Sequence, residues 1–394
     1  MIYFDNGATS FPKPRGVVEA VHQALTRYGA NPGRSGHDLS IQTSAKVYEV
    51  REAAAKLFGV EDPSEVVFTS NCTHAINIAL KGLLQPGDHV IISDLEHNAV
   101  LRPIHALSQK GVEYDIANTY GRCRKTLDSF YRLIRPNTRL IACAHASNVF
   151  GIRQPIEELA MLCRDKNLLF LVDAAQSAGV LDIDAPYMGI DFLCTAGHKG
   201  LYGPSGTGLL ITALGSSLST LMEGGTGSFS ANYEQPLDMP DRLESGTLNT
   251  IGILGLGAGI RFVRERGLAQ IYRHEMRIAK EIFHHLKRMP QIKLYTPDFD
   301  EGSHLPVLSF NIRGMSSEQV IEALSRQGFA LRGGLHCAPL AHKKMGTLEQ
   351  GTVRISVGAF NTREQALKLC EAIKKLAVPV ELPLQYGKIE LNEN

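Results

Sequence analysis

Tryptophan is absent from these 394 residues, and no two cysteines stand in a CxxC spacing. The seven cysteines (Cys72, Cys123, Cys143, Cys163, Cys194, Cys337 and Cys370) are odd in number and scattered. That usage fits a reducing cytosol better than a disulfide framework or a zinc site. No apolar run reaches the ~18 residues of a membrane span, and the opening MIYFDNGATS has no basic segment followed by an apolar one. A cytoplasmic protein is therefore expected. Charge of one sign is missing too: 41 Lys and Arg against 40 Asp and Glu leave a net +1. Nothing in that balance draws the chain to nucleic acid or an anionic membrane, and aromatics at 7% without Trp speak against a nucleic-acid module. With no repeats or low-complexity tracts either, the expected partner is a small molecule.

The chain is long enough for two cores, since single ones stop growing near ~250–300 residues. Pro14 predicts a helix reaching about Tyr28, and Ser40 to Phe58 returns to helical spacing after the polar stretch NPGRSGHDLS, which carries Arg34 and His37. From Val66 onward, seven short apolar runs follow: VVFTS, HVIIS, VEYDIA, RLIACAH, LLFLVDAA, DFLCTAG and TGLLIT. Helical stretches such as Cys72–Gly82, Val100–Lys110 and Ile156–Lys166 lie between most of them. Near-continuous apolar strands alternating with helices predict an α/β fold with a mainly parallel sheet covered on both faces. Ligands of such sheets bind beyond the carboxyl ends of the strands. Asn71 to Thr73, Glu96 with His97, His145 to Asn148, Asp173 with Gln176, and His198 with Lys199 should converge there. A Gly-rich polar segment from Glu223 to Asn249 is too long for a simple turn. Two helices follow, and a boundary near residue 255 divides a large domain, 1–255, from a smaller α+β domain, 256–394. Capping boxes start helices at Ser316 and Thr362, the N-terminal segment is expected to pack with the small domain, and the tail after Val378 reads as loose.

Lys199 is the residue around which the chemistry is organised. An ammonium at the end of a buried strand must be paired or deprotonated, and one use of such a lysine is a Schiff base with pyridoxal phosphate. A solvated loop lysine is the bland alternative. Asp173 ends the preceding strand unit and would face the same crevice, where a protonated pyridine nitrogen would supply the cation that a buried carboxylate needs; capping the next helix is its bland alternative. Phosphate donors are expected from the turn Asn71-Cys72-Thr73 at a helix N-terminus, or from His198. GPSGTG lacks the Lys-Ser/Thr of a P-loop, and GLGAG has neither the preceding strand nor the dinucleotide spacing. Cys337 follows Arg332-Gly333-Gly334 on a flexible approach, next to His336, which would favour its thiolate.

Nine motifs in order (RSGHDLS, TSNCTHAIN, LEHNAV, SNVFG, VDAAQSAG, AGHKGLYGPSGTG, ESGTLNT, RGGLHCAP and VRISVGAFNT) run over nearly the whole chain. On these the sequence resembles the class V aminotransferase-fold cysteine desulfurases, especially the second group, which includes selenocysteine lyases. The resemblance implies the aspartate aminotransferase-like fold (fold type I) with a seven-stranded sheet, a homodimer, and pyridoxal 5'-phosphate as cofactor. It implies that Lys199 bonds the cofactor, Asp173 pairs with the ring nitrogen, Gln176 meets the ring hydroxyl, and His97 stacks on the ring and moves protons. Thr73 and His198 would bind phosphate, joined by Thr247 from the other subunit. Arg354 and Asn148 would take the substrate carboxylate, His37 would line the pocket, and Cys337 would be the nucleophile that forms a persulfide. The implied reaction converts L-cysteine to L-alanine and passes sulfur to an acceptor thiol or protein for iron–sulfur or other thio-cofactor synthesis.

Selenocysteine lyase is the near alternative, and another lyase or aminotransferase of this fold a more distant one. A non-catalytic, cofactor-binding scaffold of a sulfur-carrier complex is the alternative of another kind. Three positions depart from the family pattern. Ala196 stands in place of a phosphate-binding Ser, His74 where Glu is frequent, and Leu335 where a His precedes the His-Cys pair in the second group.

Overall fold

The computed structural model describes residues 1–33, 36–119, 123–296 and 299–377. Arg34 and the tail after Val378 lie outside the described residues. The first part of the chain runs β1 (Ile2–Tyr3), α1 (Arg15–Thr26), α2 (Asp38–Leu57), β2 (Val66–Thr69), α3 (Cys72–Leu83), β3 (His89–Ser93), α4 (Asn98–Ser108) and β4 (Glu113–Ala117). It continues with α5 (Cys123–Arg132), β5 (Thr138–Ala144), α6 (Ile156–Asp165), β6 (Leu169–Asp173), α7 (Ala185–Met188), β7 (Phe192–Ala196) and β8 (Gly208–Ile211). After a long connection come α8 (Thr250–Arg266), α9 (Leu268–Lys287), β9 (Ile292–Leu294), β10 (Val307–Ile312), α10 (Ser317–Arg326), β11 (Phe329–Ala330), α11 (Pro339–Lys344), β12 (Val353–Ser356) and α12 (Arg363–Leu376).

All seven apolar runs become strands of one sheet, in the order β2-β8-β7-β6-β5-β3-β4. Only the pairings made by β8 are antiparallel; β7 with β6, β6 with β5, β5 with β3 and β3 with β4 are parallel. Helices cover both faces, which is why Val66–Thr69 and Phe192–Ala196 are buried at every position. One face packs Ile141, Phe170 and Leu193 against Val50, Leu159 and Ile253; the other packs Val90, Leu171 and Phe192 against Ile76 and Val100. Each fully buried side chain of this kind contributes ~1.5–3 kcal/mol.

The smaller α+β part is a three-stranded antiparallel sheet, β12-β10-β9, whose core joins Phe310 and Ile355 to Met276, Leu324 and Leu369. Ser316 and Thr362 both form complete capping boxes, with Gln319 and Gln365. Phe4 belongs to this core and β1 pairs with β11. The expected boundary at 255 falls inside α8, and Leu254 and Leu256 on either side of it sit in the same large-domain core. We propose that the division lies instead at Gly267, whose left-handed φ of 83° separates α8 from α9.

Candidate active site

The polar ends of β3, β5, β6 and β7 converge on a cavity of about 160 Å3. Lys199, His198, Asp173 and Gln176 line it from the ends of β7 and β6; His97, Asn148, Cys72 and Thr73 complete it. Strand alternation decides which neighbours join: Ala144, Ala146 and Ala196 face the cavity, while Thr195 is fully buried elsewhere with an unpartnered hydroxyl. No Ser hydroxyl therefore stands in for the missing one at position 196. At the other end, Asn71 caps α3 by accepting from the His74 N–H at 2.9 Å, and Cys72 and Thr73, in the helix turn whose N–H groups have no partner within the helix, line the cavity.

Burial sets the electrostatics. Withdrawal from water lowers the Lys199 pKa, and the Asp173 carboxylate opposes that shift. His97 is lowered for the same first reason, again with Asp173 opposing, and His198 is brought to about 4 by burial with Lys199 and Lys13 nearby. Asp173 is 6% exposed; its Oδ1 accepts from Ala175 N–H at 2.9 Å and from the Cys72 thiol at 3.3 Å. The Gln176 amide donates to the Gly7 carbonyl at 3.0 Å.

Arg354, on β12, reaches the cavity wall from the small domain. One nitrogen donates to the Asn148 carbonyl at 2.9 Å, another pairs with Asp5 at 2.8 Å, and Nε is buried without a partner. The Asn148 amide donates to the His336 carbonyl at 2.7 Å, and the Cys337 carbonyl accepts from Asn98 N–H at 2.7 Å. The Cys337 turn is thus moored to residues at the cavity rim. His336 and Cys337 are both left-handed, with φ of 48° and 57°, an uncommon pair for non-glycine residues. This twist sends His336 inward and leaves Cys337 exposed. The expectation that His336 favours the neighbouring thiolate is corrected here. Its ring is buried and bonded to the Thr352 carbonyl at 3.1 Å, and burial lowers its pKa to about 2, so it is neutral and offers no positive charge. Of the other cysteines only Cys123 is exposed, and its thiol is pushed up to about 11, first by local burial and then by Glu158.

The aminotransferase class-V family profile matches residues 2–369. The chain belongs to this family. It is 33% identical over 390 residues to a probable cysteine desulfurase of Methanothermobacter thermautotrophicus, covering 95% of this chain and 94% of that one. Its fold matches the apo cysteine desulfurase of Thermococcus onnurineus with a TM-score of 0.88 at 31% identity, over 95% of this chain and 94% of that one. The S-sulfonic acid form of the cysteine desulfurase CsdA of Escherichia coli matches with a TM-score of 0.84 at 28% identity, over the same shares.

Four residues implied by the family resemblance do not line the cavity within one chain: Arg354 and Cys337 are held beside it through Asn148 and Asn98, and His37 and Thr247 lie apart. His37 is exposed and caps α2, its Nδ1 accepting from Ser40 N–H at 3.2 Å. Thr247 is exposed and lines a separate cavity with Asn31, Tyr48 and Arg51. Two residues stand behind the cavity lining: Asp5, which was not singled out, and Glu96, which was expected there beside His97. Asp5 holds Arg354, and its place at the head of DNGATS was the only signal. Glu96 is fully buried, accepts from Ser93 and from Ala144 N–H, and is raised to about 8 by burial; an acid between a strand end and His97 was the available clue. Among the described residues, no group of three or more His, Cys, Asp or Glu could hold a metal ion, and no helix is long and apolar enough to cross a membrane.

Proposed function

We propose that this member of the family is a pyridoxal 5'-phosphate-dependent cysteine desulfurase that works as a cytoplasmic homodimer. The observation that carries the reading is that a lysine of lowered pKa and a buried carboxylate line one cavity. Asp173 makes no ion pair among the described residues and leaves Oδ2 without a donor, so a protonated ring nitrogen fits there. The start of α3, with Thr73, and His198 fit a phosphate, Gln176 fits the ring hydroxyl, and His97 fits the ring face. When bound, the cofactor supplies an electron sink that stabilises negative charge at the substrate Cα.

The chain's own groups do the rest. Lys199, withdrawn from water, is readily available as a neutral amine that takes the Cα proton and returns it. Arg354 turns its unpartnered Nε and its planar fork to the substrate carboxylate, with Asn148 beside it. The Cys337 thiolate attacks the substrate sulfur: the S–S bond forms, the C–S bond breaks, and its electron pair goes to the substrate carbon, which is protonated to give L-alanine. The sulfur remains on Cys337 as a persulfide for an acceptor thiol or protein of iron–sulfur or thio-cofactor synthesis. Thr247 is read as serving the partner subunit's phosphate site, which is consistent with its distance from the cavity of its own chain.

The test is a paired assay with L-cysteine and L-selenocysteine, following alanine and released sulfide or selenide in wild type and Cys337→Ala. Alanine from cysteine, lost in the variant, is expected. Alanine from selenocysteine alone, surviving the substitution, would make the protein a selenocysteine lyase, and none from either would leave a non-catalytic cofactor-binding scaffold.

A further inference from the structure

We propose that the Cys72 side chain is a positioning residue, which together with the Ala175 N–H holds Oδ1 of Asp173 and thereby presents Oδ2 to the cofactor's ring nitrogen. This rests on the reading of Asp173 given above. Two donors converge on a single oxygen, the amide at 2.9 Å and the thiol at 3.3 Å, and Oδ2 accepts none among the described residues. A carboxylate fixed through one oxygen by two donors from different elements has lost its freedom to rotate. It is therefore preorganised for one direction of approach.

The residue's location makes the device more than a chance contact. Cys72 is the first residue of α3, so its backbone belongs to the turn that faces the phosphate end of the cavity. Its side chain reaches the carboxylate at the opposite, ring-nitrogen end. One residue thus ties the spacing of the two ends together. The thiol is 6% exposed, and burial, with Asp173 next, raises its pKa well above the usual thiol value. It stays an S–H donor, inert as a nucleophile, which separates it from the exposed Cys337. Alanine at this position would leave Oδ1 with the Ala175 N–H alone, whereas serine would keep a donor of similar size.

The test compares Cys72→Ala, Cys72→Ser and Asp173→Asn with wild type, each loaded with pyridoxal 5'-phosphate and checked for native circular dichroism. The readouts are the absorption spectrum of the bound cofactor and its rate of release. Loss of one hydrogen bond from a weak thiol donor predicts release roughly 3- to 10-fold faster in Cys72→Ala, with a displaced absorption band, and at least partial recovery in Cys72→Ser. If Cys72→Ala matches wild type while Asp173→Asn does not, the positioning role is wrong and the reading of Asp173 stands. If Asp173→Asn also matches wild type, the reading of Asp173 fails and the positioning role with it. A second readout needs no cofactor: the infrared S–H stretch missing from Cys72→Ala must shift in Asp173→Asn, and an unmoved band overturns the hydrogen bond. That measurement decides the matter even where the alanine variant folds poorly.

Discussion

Arg354 illustrates what one side chain contributes and what it costs. It is 2% exposed, and burial lowers its pKa while Asp5 opposes the shift. A guanidinium kept this far from water needs partners on every edge, and its bare Nε marks the edge that an incoming carboxylate would take. Lysine keeps the charge but loses the fork. Arg354→Lys is therefore expected to raise the KM for L-cysteine about tenfold, with a smaller change in kcat, as steady-state kinetics will measure; an unchanged KM would remove Arg354 from substrate binding. Much of the candidate site was legible for a similar reason. Asp173 ends β6 and Lys199 lies in the turn that follows β7, and the carboxyl ends of parallel strands open on one crevice. His336 was misread because its direction depends on two consecutive left-handed residues, a backbone choice that no side-chain pattern announces.

Between elements, the pair Arg51 and Glu244 anchors the long connection from β8 to α8. Both Arg51 end nitrogens meet Glu244 oxygens at 2.8 Å, and the carboxylate also accepts from Phe68 N–H at 2.6 Å. Arg51 further donates to the Val66 carbonyl and lies 4.4 Å above the Phe68 ring. Glu244 opens the ESGT motif, so this buried pair fixes the segment carrying Thr247 to strand β2. Removing one partner strands the other charge inside. Arg51→Ala should cost about 3–5 kcal/mol in urea unfolding and loosen residues 223–249 to limited proteolysis before the sheet itself is cut. A loss below ~1 kcal/mol would show that the pair carries no weight. Elements of this size were the most readable part of the chain. Apolar runs of four to seven residues became strands, and capping boxes began helices as expected. The two helices that follow the long connection were legible too, although α8 carries Gly252, Gly255, Gly257 and Gly259 along its length, and it is the boundary drawn inside α8 that we propose to move to Gly267. The glycines are there for contact: a side chain at Gly259 would run into the Leu201 carbonyl, two residues beyond Lys199.

The large and small parts meet through a buried junction whose protonation should govern how stability varies with pH. Tyr202, in the turn after Lys199 and left-handed at φ 56°, donates to Glu275 of α9 at 3.3 Å and accepts from Ala359 N–H at 2.7 Å. Glu275 is 2% exposed, and burial raises its pKa to about 8 despite the Tyr202 hydrogen bond and Arg266. Below about pH 4.5 the carboxyl is protonated in both folded and unfolded chains and contributes no slope. Between about 4.5 and 8 the unfolded chain gives up the proton while the folded one keeps it, so stability falls as pH rises, by at most ~1.4 kcal/mol per pH unit for this one group. Glu96, also raised to about 8, acts in the same direction. Histidines work in the opposite one: His145, lowered to about 3 by burial, stays neutral in the fold and weakens it as pH falls below about 6.5. Glu275→Gln keeps the shape and removes the titration, so its melting temperature should drop less between pH 6.5 and 8 than that of wild type, with Glu96 contributing to the slope that remains. Parallel curves for the two proteins over that interval would mean that Glu275 is ionised in the fold and that the junction is held by charge, with Arg266 as the partner to substitute next.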